Sequence, residues 1–134
     1  MKIYISAGFT ARERLRPIRD RLWSMDHEVV SSWLDETAQP ELMSRETFYR
    51  KLGMKDVAEV ISADLLISDH LEPSTSGGRD IEFGVALGRH QHCQLWIVGD
   101  PPRLSPFHLL ADERFPDWEQ ALAFLSRLAH PVAA

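Results

Sequence analysis

Apolar positions along this chain fall into two alternating patterns: short continuous runs, and longer stretches with three- and four-residue spacing. Lys2-Ile3-Tyr4-Ile5 is a β-rich run that stops at the small-residue turn Ser6-Ala7-Gly8. Across residues 11–25, Leu15, Ile18, Leu22 and Trp23 recur as on a helix with one buried stripe. Thr10, with Glu13 after it, reads as an N-cap with a capping box. Pro17 is an awkward interior residue with the capacity to kink this helix. Residues 27–33 read as a second strand, and residues 34–43, with Pro40, as a loop with one helical turn. Ser44, followed by Thr47 and Phe48, opens a helix running to about residue 61. Asp64-Leu65-Leu66-Ile67-Ser68 is the clearest strand, an apolar run bounded by polar residues. The stretch from Glu72-Pro73 through Ser74-Thr75-Ser76 to Gly77-Gly78 is a strong loop signal. A helix over 79–90, a strand over 94–98 and a loop over 99–103 follow. The last helix covers 117–128, with Trp118, Leu122, Phe124, Leu125 and Leu128 as its apolar stripe.

Strands alternating with helices predict a parallel sheet with helices on both faces. The expected architecture is one α/β domain over residues 1–134, flavodoxin-like or Rossmann-like, with no repeat, low-complexity tract or linker. In such sheets the ligand lies beyond the carboxyl ends of the strands. That rule selects three segments, 6–12, 69–78 and 98–107.

A chain of 134 residues is long enough to bury one sizeable core, and its apolar and charged contents of 44% and 26% suit a globular domain. The net charge of −5 argues against a nucleic acid polymer as partner. A nucleotide monomer stays open, because a phosphate needs only a nest of amides or one or two arginines. No apolar run approaches the ~18 residues needed to span a bilayer, so no membrane partner is expected. The N-terminus enters an apolar strand at once and lacks a signal peptide's long apolar region. Cys93, the single cysteine, excludes an internal disulfide and suits a reducing compartment, so cytoplasmic residence is expected.

Three groups of residues carry candidate chemistry. In the first, Gly77 and Gly78 let the backbone approach a ligand at a helix start, where free N–H groups favour anions. Ser76 and Arg79 add phosphate donors, and Glu82 lies one turn further along, facing the same mouth. The same junction also reads as an ordinary helix start, with Asp80 and Glu82 favouring the dipole. Asp56, on the preceding helix beside Lys55, reads on pattern alone as a solvated charge, and Asp64 as a structural cap at the sheet's opposite end. The third group is the turn Ser6-Ala7-Gly8-Phe9-Thr10-Ala11-Arg12 with Tyr4 before it, where small residues and an arginine suit a phosphate. Phe9 or Trp33 could stack on a base. This turn lacks the full G-x-G-x-x-G of a dinucleotide fingerprint. His90 and His92 sit too close together, with no second cluster at ligand spacing, so no metal site is expected. Cys93 reads as a small buried residue.

These pieces resemble the nucleoside 2-deoxyribosyltransferase-like enzymes over nearly the whole chain. The most specific part is Ala63-Asp64-Leu65-Leu66-Ile67 with Ser76-Gly77-Gly78 and Glu82-Phe83-Gly84-Val85-Ala86. In that family the glutamate of the E-x-G-x-A helix is the nucleophile, and Glu82 takes its position. An aspartate eight residues before the strand's own aspartate assists catalysis there, and Asp56 stands at that position. Tyr4, on the first strand, is the candidate to orient Glu82. Transferases on free nucleosides carry an aspartate six residues before the nucleophile, where this chain has Ser76. The branch that hydrolyses nucleoside 5'-monophosphates has a serine there, since a carboxylate would repel the phosphate. The resemblance therefore implies hydrolysis of a nucleotide's N-glycosidic bond without a cofactor, with base exchange on free nucleosides as the alternative. A non-catalytic nucleotide-binding module is a further alternative. Ser6, Gly8, Phe9, Arg12, Trp33, Ser76, Gly77, Gly78 and Arg79 are the expected substrate-binding residues. A homodimer is also implied, with Ser105 completing the neighbour's site. The turn after the first strand departs from the Gly-rich form of the deoxynucleotide hydrolases, leaving room for a ribonucleotide.

Overall fold

The computed structural model describes residues 1–36, 39–74, 76–101 and 103–129; Thr75 of the loop signal and Pro102 of the next loop lie outside the described residues. Strands β1 (Lys2–Ser6), β2 (Glu28–Val29), β3 (Leu65–Asp69), β4 (Gln94–Val98) and β5 (Glu113–Phe115) form one sheet in the order β2-β1-β3-β4-β5. All four pairings are parallel, with Ile3 opposite Leu65 and Leu65 opposite Gln94. Parallel neighbours require crossover connections, which helices α1 (Arg12–Ser24), α2 (Arg45–Ser62), α3 (Gly78–Leu87) and α4 (Trp118–Ala129) supply. Helices α2 and α3 pack together on one face. On the other face α1 and α4 are joined by an Arg21–Glu119 ion pair. The expected flavodoxin-like α/β domain is what the chain forms.

Two aspartates fix the amino ends of the ladder in the same way. The backbone N–H of Lys2 donates to the Asp64 carboxylate at 2.8 Å, and that of Leu95 to Asp112 at 2.8 Å. Asp64 is thus structural and far from the ligand edge, as its position before the strand implies. Strand alternation sends Tyr4 towards α3, whereas Trp96 on β4 packs against Phe115 and Phe124 at 5.2 and 5.5 Å between ring centroids.

Local boundaries differ from expectation where side chains replace backbone partners. Thr10 does not cap α1; a 3-10 turn at Phe9–Ala11 precedes the helix, and Ala11 occupies the cap position without a side-chain bond. The second strand stops at Val29 instead of reaching Trp33. Beyond it, the Ser31 hydroxyl accepts from the Ile5 N–H at 3.1 Å and the Trp33 indole donates to the Ile5 carbonyl at 2.7 Å. These side chains satisfy the backbone that a longer strand would have paired, and the chain turns into a 3-10 segment at Ser32–Asp35. Strand β5 has no counterpart in the sequence pattern, because three residues at a sheet edge are too few to show a period. Ser44 caps α2 as expected, its hydroxyl accepting from the Thr47 N–H at 3.2 Å. Cys93 is buried.

The carboxyl ends of the strands are tied together by one buried acid that the sequence pattern did not single out. Asp69, 1% exposed at the end of the central strand β3, accepts two bonds from the Arg14 guanidinium at 2.8 and 3.0 Å. It also accepts from the Trp118 indole at 2.6 Å and from the Leu71 N–H at 3.1 Å. One carboxylate therefore joins β3 to α1, to α4 and to the loop that follows. Asp69→Ala leaves the buried Trp118 indole N–H without a partner and Arg14 with Glu72 alone, which costs about 3 kcal/mol. Thermal unfolding should show a midpoint lowered by roughly 10 °C.

Candidate active site

Residues two apart on a strand face the same way, so Tyr4 and Ser6 of β1 present their hydroxyls to α3. There they meet Glu82. The Tyr4 hydroxyl donates to one carboxyl oxygen, and the Ser6 hydroxyl donates to the other at 2.8 Å. Helix α3 can begin this close to the sheet because Gly77 adopts a left-handed conformation at its N-cap, with φ of 74°. Gly8 has a steric role, since a Cβ there would lie 3.3 Å from the Pro73 carbonyl oxygen and 3.4 Å from the Ser74 Cα. A side chain at position 8 would force the β1 turn away from the loop that precedes α3.

Burial pushes the Glu82 carboxyl up to about 7, against the opposing pull of the Tyr4 and Ser6 hydrogen bonds. Tyr4 is fully buried, and desolvation together with the Glu82 charge raises its phenol far above the ordinary range. Tyr4 is therefore held as a proton donor towards Glu82. Asp56 approaches from α2, half-buried, with its carboxyl raised to about 6 by desolvation and held back by the adjacent Lys55. One Asp56 oxygen, Oδ1, is buried without a hydrogen-bond partner. Two carboxyls with elevated pKa values in one concave site are a signature of acid–base or nucleophilic chemistry.

Glu82 and Asp56 open into a pocket of about 130 Å³ that also includes Phe9, Trp33, Ser76 and Arg79. The Phe9 and Trp33 rings lie 6.5 Å apart at 42°, leaving Phe9 largely exposed at the mouth. Trp33 is fixed by its bond to Ile5, so only Phe9 is free to follow a ligand. The structure brings Tyr4, Ser6, Gly8, Phe9, Trp33, Asp56, Ser76, Gly77, Gly78, Arg79 and Glu82 to this one edge of the sheet. Arg12 stands behind Phe9, its guanidinium 4.5 Å from the ring centroid, and donates to the Glu36 carbonyl at 2.7 Å.

Two candidate residues are placed differently from a simple phosphate cradle. Arg79 is buried, and its Nη1 donates to the carbonyls of Asp69 and Glu72 at 3.1 and 2.9 Å. It clamps the loop before α3, while its Nε is buried without a partner beside the pocket it lines. Ser105 lies outside this pocket, in a larger groove of about 630 Å³ on another face of α3, with Phe83, Phe107 and His108. Its own N–H donates to His108 Nδ1 at 3.1 Å. The larger groove lacks the paired carboxyls, so the chemistry belongs to the smaller pocket. Besides Asp69, the sequence pattern did not single out Glu36 or Lys55, whose partners lie far away along the chain. Asp69 was within reach of the strand-end rule, since it closes the clearest strand.

Fold and site together define a flavodoxin-like α/β protein with a carboxylate pair at the carboxyl edge of its sheet. No family model matches the sequence, and no curated protein matches it. Solved structures do share the fold. The 2-deoxyribosyltransferase of Bacillus psychrosaccharolyticus, described as a biocatalyst for nucleoside synthesis, superposes with a TM-score of 0.69 at 15% identity, over 90% of each chain. The CMP N-glycosidase BcmB of Clostridium botulinum gives 0.58 at 14% identity, over 96% of this chain and 99% of that one. A conserved protein of Enterococcus faecalis V583 gives 0.66 at 12% identity, over 96% and 98%. The fold is thus that of these three proteins. No helix among the described residues is long and apolar enough to cross a membrane.

The raised Glu82 carboxyl has a consequence for stability. A group whose folded pKa lies above its unfolded value stabilises the fold below the unfolded value and loses that contribution as pH rises through the folded one. For Glu82 the window runs from 4.5 to about 7, with a cost of roughly 3 kcal/mol above it. Glu82→Gln should therefore match the parent protein at pH near 4 and exceed it at pH 8, measured by denaturant unfolding at both. Equal stability at pH 8 would contradict the desolvated carboxyl.

Proposed function

We propose that this chain hydrolyses the N-glycosidic bond of a nucleoside 5'-monophosphate, releasing the free base and a (deoxy)ribose 5-phosphate. The observation that carries the reading is the desolvated Glu82 carboxyl, gripped by Tyr4 and Ser6 and opposed across the pocket by Asp56. Cleavage at an anomeric carbon passes through an oxocarbenium-like transition state, which a close carboxylate stabilises. The ionised Glu82 attacks C1', the C1'–N bond breaks, and its electron pair leaves with the base. Protonated Asp56 gives the departing base its proton. Water then attacks C1' from the vacated face while Asp56 takes up a proton, and the ester opens to regenerate Glu82 with configuration retained. The productive state is the pair carrying its one proton on Asp56; with Glu82 raised to about 7 and Asp56 to about 6, that proton favours Glu82 in the ligand-free pair, and the reactive arrangement is the minor tautomer. Every step uses only this chain's groups and water, and calls on no metal or organic cofactor.

Phe9 and Trp33 offer aromatic faces to a base, a pyrimidine or modified pyrimidine in this reading. Ser76, Gly78 and the buried Nε of Arg79 are suited to the phosphate at the amino end of α3. We further assign this protein to the nucleoside 2-deoxyribosyltransferase-like family, on the shared fold and on Glu82 and Asp56 at the positions the resemblance gives them. A homodimer belongs to the same reading, with Ser105 of the partner subunit completing the phosphate site. Exposed Met54, Val57 and Ile61 on α2 form an apolar surface suited to a second copy. Cytoplasmic residence accords with one free, buried cysteine. The transferase reading is kept because the shared fold includes a 2-deoxyribosyltransferase. In it, a second base replaces water at the Glu82 ester.

Incubation with ribo- and deoxyribonucleoside 5'-monophosphates and the matching nucleosides, with and without a second free base, tests these readings by chromatography. Base release from monophosphates alone is expected, and Glu82→Ala should reduce it by about 10⁴-fold or more while the circular dichroism spectrum is unchanged. Exchange onto the added base from free nucleosides would make the protein a transferase. Intact ligands with a ligand-induced thermal shift would make it a binding module. Ser76→Asp should weaken monophosphate turnover by roughly 10²-fold through like-charge repulsion, with a smaller effect on any nucleoside turnover. The opposite ranking would remove the argument for a phosphate.

A further inference from the structure

Asp56 is not alone on its helix. Lys55 sends its ammonium to the Glu36 carboxylate at 2.5 Å while standing 3.8 Å from Asp56 Oδ1. The second distance is too long for a hydrogen bond but short enough for strong attraction between charges. Adjacent residues on a helix do not face each other, so Lys55 reaches this position through its partner on another element. That partner is well anchored. The Glu36 carbonyl accepts from Arg12, and its N–H donates to the Trp33 carbonyl at 3.2 Å, at the end of the 3-10 segment that carries Trp33. All three charged side chains are shielded from water, with 33%, 28% and 21% exposure for Lys55, Asp56 and Glu36. The interaction is therefore screened less than a surface ion pair.

We infer that Lys55 is a positioning residue for Asp56, held off by Glu36 so that its charge acts on the acid without occupying its free oxygen. This inference rests on the catalytic reading of Asp56 for its purpose, though not for its geometry. A lysine in contact with Oδ1 would fix Asp56 as a carboxylate and block the oxygen that must carry a proton. An absent lysine would leave Arg79, which lines the same pocket, as the cation near an acid otherwise surrounded by negative or neutral groups. Those groups are Glu59 on its own helix, Glu36 from the 3-10 segment, Glu82 from α3 and the Tyr4 phenol from β1. The Glu36–Lys55 pair thereby links the segment that carries the aromatic wall to the proton-carrying group. The proton of Asp56 and the position of Trp33 become parts of one arrangement.

The two partners predict opposite effects, which a purely structural role would not produce. Lys55→Met removes the cation and should raise the Asp56 midpoint by about one pH unit. Glu36→Gln removes an anion and frees Lys55 to close on Asp56, and should lower the midpoint by about as much. The readout is carboxyl ¹³C NMR titration of the ligand-free protein, with the Asp56 signal identified by its absence in Asp56→Asn. Because no substrate is present, the result is independent of the proposed reaction. Opposite shifts uphold the inference, even if no nucleotide is turned over. Midpoints that do not move, or that move the same way in both variants, overturn it. Where the monophosphate is cleaved, the pH limb of kcat that belongs to Asp56 should follow the same two directions, with KM little changed. A loss of kcat at all pH values, with no shift of the limb, would mark Lys55 as merely structural and overturn the inference.

Discussion

The buried carboxylate of Asp69 is the contact on which the ligand edge depends. A parallel sheet leaves the carboxyl ends of its strands to be closed by loops, and those loops need an anchor that local turn chemistry does not provide. Asp69 provides it at the end of the central strand by taking bonds from α1, from α4 and from its own loop. Arg79 then holds the carbonyls on either side of the turn, at Asp69 and Glu72. With the loop fixed at both places, Gly8 can come within contact of Pro73 and Ser74, and α3 starts at a defined point over the sheet. The position of Glu82 is a consequence of that anchoring.

The same edge carries a cost that the core does not. Packing Tyr4, Ser6 and Glu82 together removes a carboxyl from water and gives it two hydroxyl donors in return. The balance leaves it partly protonated near neutral pH, which is unfavourable for the fold and useful for chemistry in which a carboxyl must gain and lose charge. Asp56 has the same character in weaker form. Its burial is partial, and a lysine held at a fixed distance offsets some of the penalty. Two carboxyls in different environments are thereby available for two roles. Stability elsewhere, in the apolar layers on both faces of the sheet, offsets the desolvation of these carboxyls.

Much of this was legible along the chain. The alternation of apolar runs and helical stripes foretold the α/β class, because periodicities of two and 3.6 residues follow from backbone geometry alone. Ser44 was readable as a cap because its bond to Thr47 is local. Gly77 was readable as a helix start because a left-handed residue there favours glycine. The failures share a cause. Thr10 looked like a cap but gave way to Ala11, and the second strand was cut short by bonds from Ser31 and Trp33 to Ile5. In both places the deciding contact or chain path belonged to the tertiary arrangement rather than to the local sequence. Edge strand β5 was invisible because its pairing with β4, not its composition, makes it a strand.

The sequence by itself determined the order of the four helices and of strands β1 to β4, the parallel sheet, the loop before α3 and the residue types available for chemistry. Its resemblance to known enzymes also picked out Glu82 and Asp56 from among twenty acidic residues. Only the tertiary structure decided which of those acids lose their water. It set Glu82 against Tyr4 and Ser6 and left Asp64 as a ladder cap. Arg79 was spent on loop carbonyls, and Ser105 was put on a different face of α3. The physical reason is that a charge's environment is made by groups distant along the chain. Tyr4 and Glu82 are separated by 78 positions, and no local pattern encodes the desolvation they share.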